Sequence, residues 1–332
     1  MNNYRKPIGI FYEHSTWFRP LFNELERRRI PFIRVHAAQH QYNPSETEVP
    51  FSLLINRMSS SAYIRGNGQG IFHTVNYLNH LSRLGVPVVN GPKAQSIESS
   101  KSKQLSLLAD LDLPFPKTRI VNHITQIIPA ALSLKFPVVI KVNIGGSGAG
   151  IVKFNTVEEL NRAINYEQIN LGIDHTALIQ EFIPAKGNHI VRVETLNGKF
   201  LYAIKVHLND FSFKNCPAEL CSTPEINAQN CLDESPKSKI SVEDYLPPLE
   251  IISAVERIVK EAQIDVGGVE YIIDERDNKP YFYDINALSN FVSDAENVIG
   301  FNPYHTLVDY IEQRLKRKNE PVPAEKFEVA VI

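Results

Sequence analysis

Four glycines fall within the six residues Gly145-Gly146-Ser147-Gly148-Ala149-Gly150, with strand-like apolar runs on both sides, at 138–142 and 151–154. Glycine lets a backbone pass close to phosphate oxygens and turn its N–H groups toward them. A Walker loop would end in Gly-Lys-Ser/Thr, which is absent, and a dinucleotide fingerprint would be followed by a helix, whereas Ile151-Val152-Lys153-Phe154 reads as a strand. Two readings remain. One is a glycine-rich lid between two strands, closing over nucleotide phosphates, and the other is a plain hairpin turn. Four glycines in six residues are more than a turn needs. Lys141, in Val138-Val139-Ile140-Lys141, stands just upstream. It is placed either to meet phosphate oxygens or to guard a sheet edge.

Before this loop, the first ninety or so residues alternate strands (8–11, 32–35, 52–55, 88–90) with helices (19–29, 72–84), a pattern that implies a parallel sheet with helices on its faces. Ligands of such sheets sit beyond the carboxyl ends of the strands, where Glu13, His14, Asn56, Arg57 and Asn90 fall. A helix over 100–111 and a second α/β unit follow, with a T-x-x-E capping box at Thr156 and Glu159. A third unit begins near residue 184 with a hairpin about Asn197-Gly198. The expected division is 1–92, 93–183 and 184–332, with a polar insert at about 209–248 that carries Cys216, Cys221 and Cys231. The cysteine spacing lacks a paired C-x2-C or a matching histidine, so ordinary thiols are expected rather than a zinc site. His36 and His40 are expected at the surface.

Composition narrows the class. Lys+Arg 35 against Asp+Glu 37 leaves a net charge of −2, which argues against a nucleic-acid surface. No apolar run approaches the roughly 20 residues of a membrane span, and the N-terminus lacks a signal h-region. A soluble, cytoplasmic protein is expected.

The second constellation is Glu270, Asp284 and Asn286. With the connecting loop at 275–279, Asp274 pairs with Pro280. Four steps back along each strand then pair Glu270 with Asp284, and Asn286 shares their face. Two carboxylates and an amide oxygen suit Mg²⁺, the alternative being a solvated polar face. Without a cation, two such carboxylates repel and one pKa should rise. Asp284→Asn is therefore expected, from sequence alone, to leave the metal-free fold equally or slightly more stable. Ser100-Lys101-Ser102-Lys103 matches S-x-x-K, but no partner motif follows, and the match is read as chance.

Taken in order, these features resemble the ATP-grasp superfamily, and within it the carboxylate–amine ligases of the glutathione synthetase and ribosomal-protein glutamate ligase type. The resemblance runs from Lys103 through Lys141 and the glycine loop, past Gln180-Glu181-Phe182-Ile183, to Glu270, Asp284 and Asn286. It implies an α/β ATP-grasp fold: an N-terminal parallel-sheet domain and two α+β subdomains clasping ATP. It implies that Lys103 and Lys141 touch the nucleotide phosphates with Gly145, Gly146, Ser147 and Gly148. Glu181, Phe182 and Ile183 would form the adenine hinge, and Lys214 and Asn215 would contact phosphate. Arg192 and Lys205 would be the catalytic cations, and Glu270, Asp284 and Asn286 would hold Mg²⁺, with Mn²⁺ as a substitute. After Asn286 this chain has Ala287-Leu288-Ser289-Asn290, where the family often has a small residue and proline, and Asn188 and His189 stand where an acidic ribose contact is expected.

The implied reaction is ligation. ATP phosphorylates a carboxylate, and an amine then displaces phosphate, giving an amide or peptide bond with ADP and phosphate released. The substrates would be small-molecule or peptide acids and amines, the acceptor pocket would be built from Glu13, His14, Arg57, Asn90 and the insert, and a homodimer is compatible. A small-molecule kinase and a non-catalytic nucleotide-binding regulator are the rival classes.

Overall fold

The computed structural model describes residues 6–14, 16–146, 148, 150–208 and 241–317. Ser147, Lys214, Asn215 and the three cysteines lie outside the described residues. Strands β1 (Ile8–Tyr12), β2 (Phe32–His36), β3 (Leu54–Arg57) and β4 (Val88–Val89) form a parallel sheet in the order β2-β1-β3-β4. Ile8, Ile10 and Phe11 are all buried, which is why β1 reads as an unbroken apolar run: helices cover both faces. These are α1 (Arg19–Arg27), which buries Leu21, Phe22 and Leu25, and α2 (Gly68–Arg83), which buries Ile71, Leu78 and Leu81. His40, expected at the surface, is partly buried instead: its ring lies 4.1 Å from Tyr77, and Nδ1 lies 3.0 Å from Nε2 of His73.

Two short helices, α3 (Pro92–Glu98) and α4 (Lys101–Asp110), lead to an antiparallel sheet of β5 (Thr118–Val121), β6 (Val138–Val142), β7 (Ile151–Phe154) and β8 (Ala177–Glu181), ordered β5-β8-β6-β7. Helices α5 (Ile127–Leu132) and α6 (Val157–Asn165) pack on one of its faces through Ile127, Ala131, Leu160 and Ala163. A 3-10 turn at Ile124–Gln126 leads directly into α5. A third sheet runs β11-β10-β9-β12-β13, from β9 (His189–Leu196), β10 (Lys199–His207), β11 (Val242–Asp244), β12 (Val266–Ile273) and β13 (Pro280–Asn286). Helix α7 (Leu249–Glu261) covers its Val191, Val193, Val269 and Tyr271 face. After α8 (Ala295–Ile299), α9 (Pro303–Arg317) returns to α1, where Arg28 Nη2 donates to the His305 carbonyl at 3.0 Å.

One residue fastens the parallel sheet to the third. Asn90 follows β4 with φ +56° and is 1% exposed. Its Nδ2 donates to the carbonyls of Val266 (2.7 Å) and Ala287, and its Oδ1 accepts from the N–H groups of Asp265 (2.8 Å) and Val266 (3.2 Å). Every polar atom of this side chain is thus spent on backbone, so Asn90 is a clasp rather than a lining residue of an acceptor pocket. Asn90→Ala strands buried backbone groups and places a Cβ-bearing residue with no local hydrogen bond at positive φ. A loss of about 2–4 kcal/mol is expected, read as a lowered urea midpoint at unchanged m-value.

Candidate active site

The site lies where the second and third sheets face each other. On the third sheet, Glu270 pairs with Asp284 on one side and Arg192 on the other, and Gly268 pairs with Asn286 and Glu194. Cross-strand partners share a face, so Arg192, Glu194, Glu270, Asp284 and Asn286 form one polar patch in an otherwise apolar sheet. The expected pair Glu270–Asp284 is present, but by a different count. Pro280 pairs with Ile273, not Asp274, and a β-bulge at Tyr283 restores the offset. The bulge also divides Asp284 from Phe282, which packs with Tyr271 on the opposite face.

The same device removes Lys205. From the Asn197-Gly198 turn, simple alternation would pair Arg192 with Ala203 and set Lys205 on the same face. A bulge between Phe200 and Tyr202 shifts the register, so that Ile204 faces Arg192 and Lys205 faces Val191. Lys205 therefore leaves the patch and binds Glu243 Oε1 at 2.8 Å.

Lys101, rather than Lys103, enters the site. Its Nζ lies 2.5 Å from Asp284 Oδ1, with both side chains 13% exposed. Lys103 is exposed and bonds to Ser96 Oγ at 2.6 Å. Ser100 caps α4, accepting from Lys103 N–H, so the S-x-x-K match is a helix start. The helical phase carries the signal that singles out Lys101: it is four and seven residues before the buried Leu105 and Leu108. Asn143, also missed from sequence, sets α4 beside β6: its Oδ1 accepts from Ser102 N–H at 2.9 Å and Ser100 Oγ at 3.2 Å.

Lys141 comes from β6 in the second sheet and places Nζ 5.2 Å from the Tyr283 ring centroid. Tyr283 in turn donates its hydroxyl to Glu270 Oε2 at 2.9 Å. Burial, reinforced by Lys101, pulls the Lys141 pKa down from 10.5 to about 8, against the pull of Asp284 and Glu270. Burial and then Asp284 push Glu270 above the ordinary carboxylate range. Burial would raise Asp284 too, but the Lys101 charge and hydrogen bond hold it below that range. Glu98, at the end of α3, is raised by burial although it accepts from the N–H groups of Leu288 and Ser60.

The donor set of Glu270, Asp284 and Asn286 fits Mg²⁺, which takes one or two carboxylates with substrate phosphates. Asn286 Nδ2 lies 3.5 Å from Asp284 Oδ2. Among the described residues there is no cluster of three or more His, Cys, Asp or Glu side chains suited to a metal ion, so a cation here would rest on two carboxylates and an amide. Of the expected hinge, Phe182 N–H bonds to the Pro137 carbonyl at 2.9 Å, its ring lies 4.0 Å from Lys153 Nζ, and Ile183 is buried. The Glu181 carboxylate accepts from Lys135 N–H at 3.0 Å.

The glycine loop rests on the first unit. A Cβ at Gly146 would lie 2.9 Å from Ser61 Cβ, closer than side chains pack, and Gly148 and Gly150 have φ +67° and +73°. Ser61 Oγ accepts from Arg65 Nη1 at 3.2 Å, and Arg65 forms an ion pair with Glu13 at 2.5 Å. Although burial opposes it, hydrogen bonds from Arg65 and Asn67 hold Glu13 ionised below the usual range. His14 stacks on Trp17 at 4.2 Å and is lowered to about 4 by burial and Arg65. Arg57 is buried and reaches the Ser289 carbonyl. If the loop is a lid, amide exchange across 145–150 should slow about tenfold or more when ATP and Mg²⁺ are added. Equal rates would leave it a turn.

Comparison with known proteins bears on the fold. Residues 98–221 match the RimK-like ATP-grasp domain family. A D-alanine–D-alanine ligase of Haemophilus influenzae (strain PittEE) is 27% identical over 187 residues, 51% of this chain and 59% of that protein. A putative urea carboxylase of Emericella nidulans is 22% identical over 246 residues, 70% of this chain but 18% of that protein. The chain thus spans little more than half of the first relative and under a fifth of the second. The ATP-grasp ligase PsnB, complexed with a phosphomimetic variant of a minimal precursor, Mg and ADP, superposes with a TM-score of 0.66 at 14% identity, covering 94% of this chain and 100% of that one. A D-alanine–D-alanine ligase from Bacillus anthracis gives 0.63 at 15%, covering 94% and 98%.

Proposed function

Since this chain has the ATP-grasp fold and carries a RimK-like domain, we propose that it is an ATP-dependent ligase joining a carboxylate to an amine through an acyl phosphate. The observation that carries this reading is the convergence of Lys101 from α4, Lys141 from the second sheet and Arg192 from the third around Glu270, Tyr283 and Asp284. Three cations and a paired-carboxylate patch suit phosphoryl transfer, where catalysis is positioning and charge neutralisation.

In the first step a carboxylate oxygen attacks the γ-phosphorus of ATP; the new O–P bond forms as the bond to the ADP oxygen breaks. The amine then attacks the acyl carbon, its proton is lost, and phosphate leaves. Lys141 and Lys101 are placed to hold phosphate oxygens, and Arg192 to offset charge on the transferring group. Mg²⁺, when bound by Glu270, Asp284 and Asn286, would supply further neutralisation of the phosphates. The glycine loop, seated on Ser61, would keep water from the acyl phosphate. The acid and amine would be amino acids or peptides, in keeping with relatives named D-alanine–D-alanine ligase and a neighbour complexed with a peptide precursor. Glu13, His14, Arg57 and the 209–248 insert are candidates to receive them. No helix among the described residues is long and apolar enough to cross a membrane; a cytoplasmic location and a homodimer are part of the proposal.

The test is ATP turnover against pooled amino acids and peptides, with ADP and free phosphate measured together. Release of both only when acid and amine are present supports ligation. ADP without phosphate would indicate a kinase, and no turnover a regulator.

A further inference from the structure

Glu194 is 1% exposed, yet its Oε2 is buried without a hydrogen-bond partner among the described residues. Its Oε1 accepts from Arg192 Nε at 2.5 Å. The other edge of the same guanidinium faces the site, with Nη1 3.3 Å from Glu270 Oε1 and Nη2 3.4 Å from Ser289 Oγ. Across the sheet from Glu194 stands Gly268. A Cβ at Gly268 would lie 3.0 Å from Glu194 Oε1 and 3.1 Å from Arg192 Nε. No positive φ is involved at Gly268, so space for this ion pair, not backbone conformation, accounts for the glycine.

Packing does not explain Glu194, since an apolar side chain would fill the volume without an unpaired carboxylate oxygen. Neutralising Arg192 does not explain it either, because Glu270 already faces Arg192 across the strands. What Glu194 adds is direction. It takes the Nε edge by the shorter contact and leaves the Nη edge toward Glu270.

We propose that Glu194 is a positioning residue for Arg192, fixing its Nε edge so that the Nη edge stays aimed at the transferring phosphoryl group when Glu270 is engaged by a cation. The inference rests on the ligase reading above, and two measurements separate them.

The first is kinetic. Glu194→Gln should lower kcat about tenfold while the KM for ATP changes less than about threefold. Gly268→Ala, which removes no charge but crowds the pair, should show the same split. In an Arg192→Ala background, Glu194→Gln should cause no further loss. Equal proportional losses in both backgrounds, or a raised KM at unchanged kcat, would overturn the proposal. The second needs no turnover. In nitrogen-15 spectra, the Arg192 Nε–H signal, identified by its loss in Arg192→Lys, should exchange slowly with solvent in the parent protein and about tenfold faster in Glu194→Gln. Unchanged exchange would overturn the positioning role. A protected signal in a protein with no ATP turnover would instead overturn the ligase reading.

Discussion

Asp284→Asn should lower turnover by about 10²–10³-fold, the range seen when one preorganised charge-stabilising group is removed. It should also destabilise the metal-free protein. The sequence pointed the other way, because two facing carboxylates with no cation between them repel. In the folded chain the cation is internal: Lys101 Nζ lies 2.5 Å from Asp284 Oδ1, and Arg192 Nη1 lies 3.3 Å from Glu270 Oε1. Removing the Asp284 charge relieves Glu270 but takes from Lys101, 13% exposed, the ion pair it makes with Asp284. Breaking a fully buried pair costs about 3–5 kcal/mol. With the relief at Glu270 subtracted, a net loss of about 1–3 kcal/mol is expected by urea unfolding. A variant as stable as the parent would mean that Lys101 does not hold Asp284 in solution.

Lys141→Met should weaken ATP binding about 10–100-fold, the loss of one charge-assisted contact, as read by calorimetric titration. Its pH behaviour is more diagnostic. The folded-state pKa is about 8 and the ordinary value 10.5. Between those limits the unfolded chain holds a proton on Lys141 that the folded chain does not. The metal-free protein should therefore gain stability as pH rises from about 8 toward 10.5. Below about 8 both states are protonated, and the charged side chain is a burden on the fold. Lys141→Met should remove that slope and stabilise the nucleotide-free protein at neutral pH by at most about 3 kcal/mol, since the side chain is not wholly shielded from solvent. Nucleotide affinity should fall as pH rises above about 8 in the parent. Lys141→Arg, which stays charged, should show no such fall. A pH-independent affinity in the parent would show that Lys141 keeps its charge in the free protein.

Much of this site was legible in the sequence, and the misses have a common cause. Glycine clustering, apolar runs and an acidic pair at hairpin spacing are local signals, and they led to the sheets, the loop and Glu270 with Asp284. Bulges are not legible in the same way. One extra residue at Tyr283 offset a one-residue error in the assumed turn, so Asp284 arrived where expected. One extra residue in β10 turns Lys205, which the resemblance made a catalytic cation, to the face away from Arg192. Lys101 could have been found, since Leu105 and Leu108 fix the phase of α4. Tyr283 and Glu194 had no such signal, because their roles depend on contacts across strands that only the register reveals. Asn90 looked like a pocket residue because it ends a parallel strand, but a tertiary partner, the Val266 backbone, claims it.

The central claim is that an acyl phosphate forms in this site, and oxygen tracing tests it most directly. With both carboxylate oxygens of the acid labelled with oxygen-18, turnover with ATP and an amine should move one labelled oxygen into the released phosphate, leaving the other in the amide. Unlabelled phosphate, or a phosphorylated product that accumulates with ADP, would contradict the account.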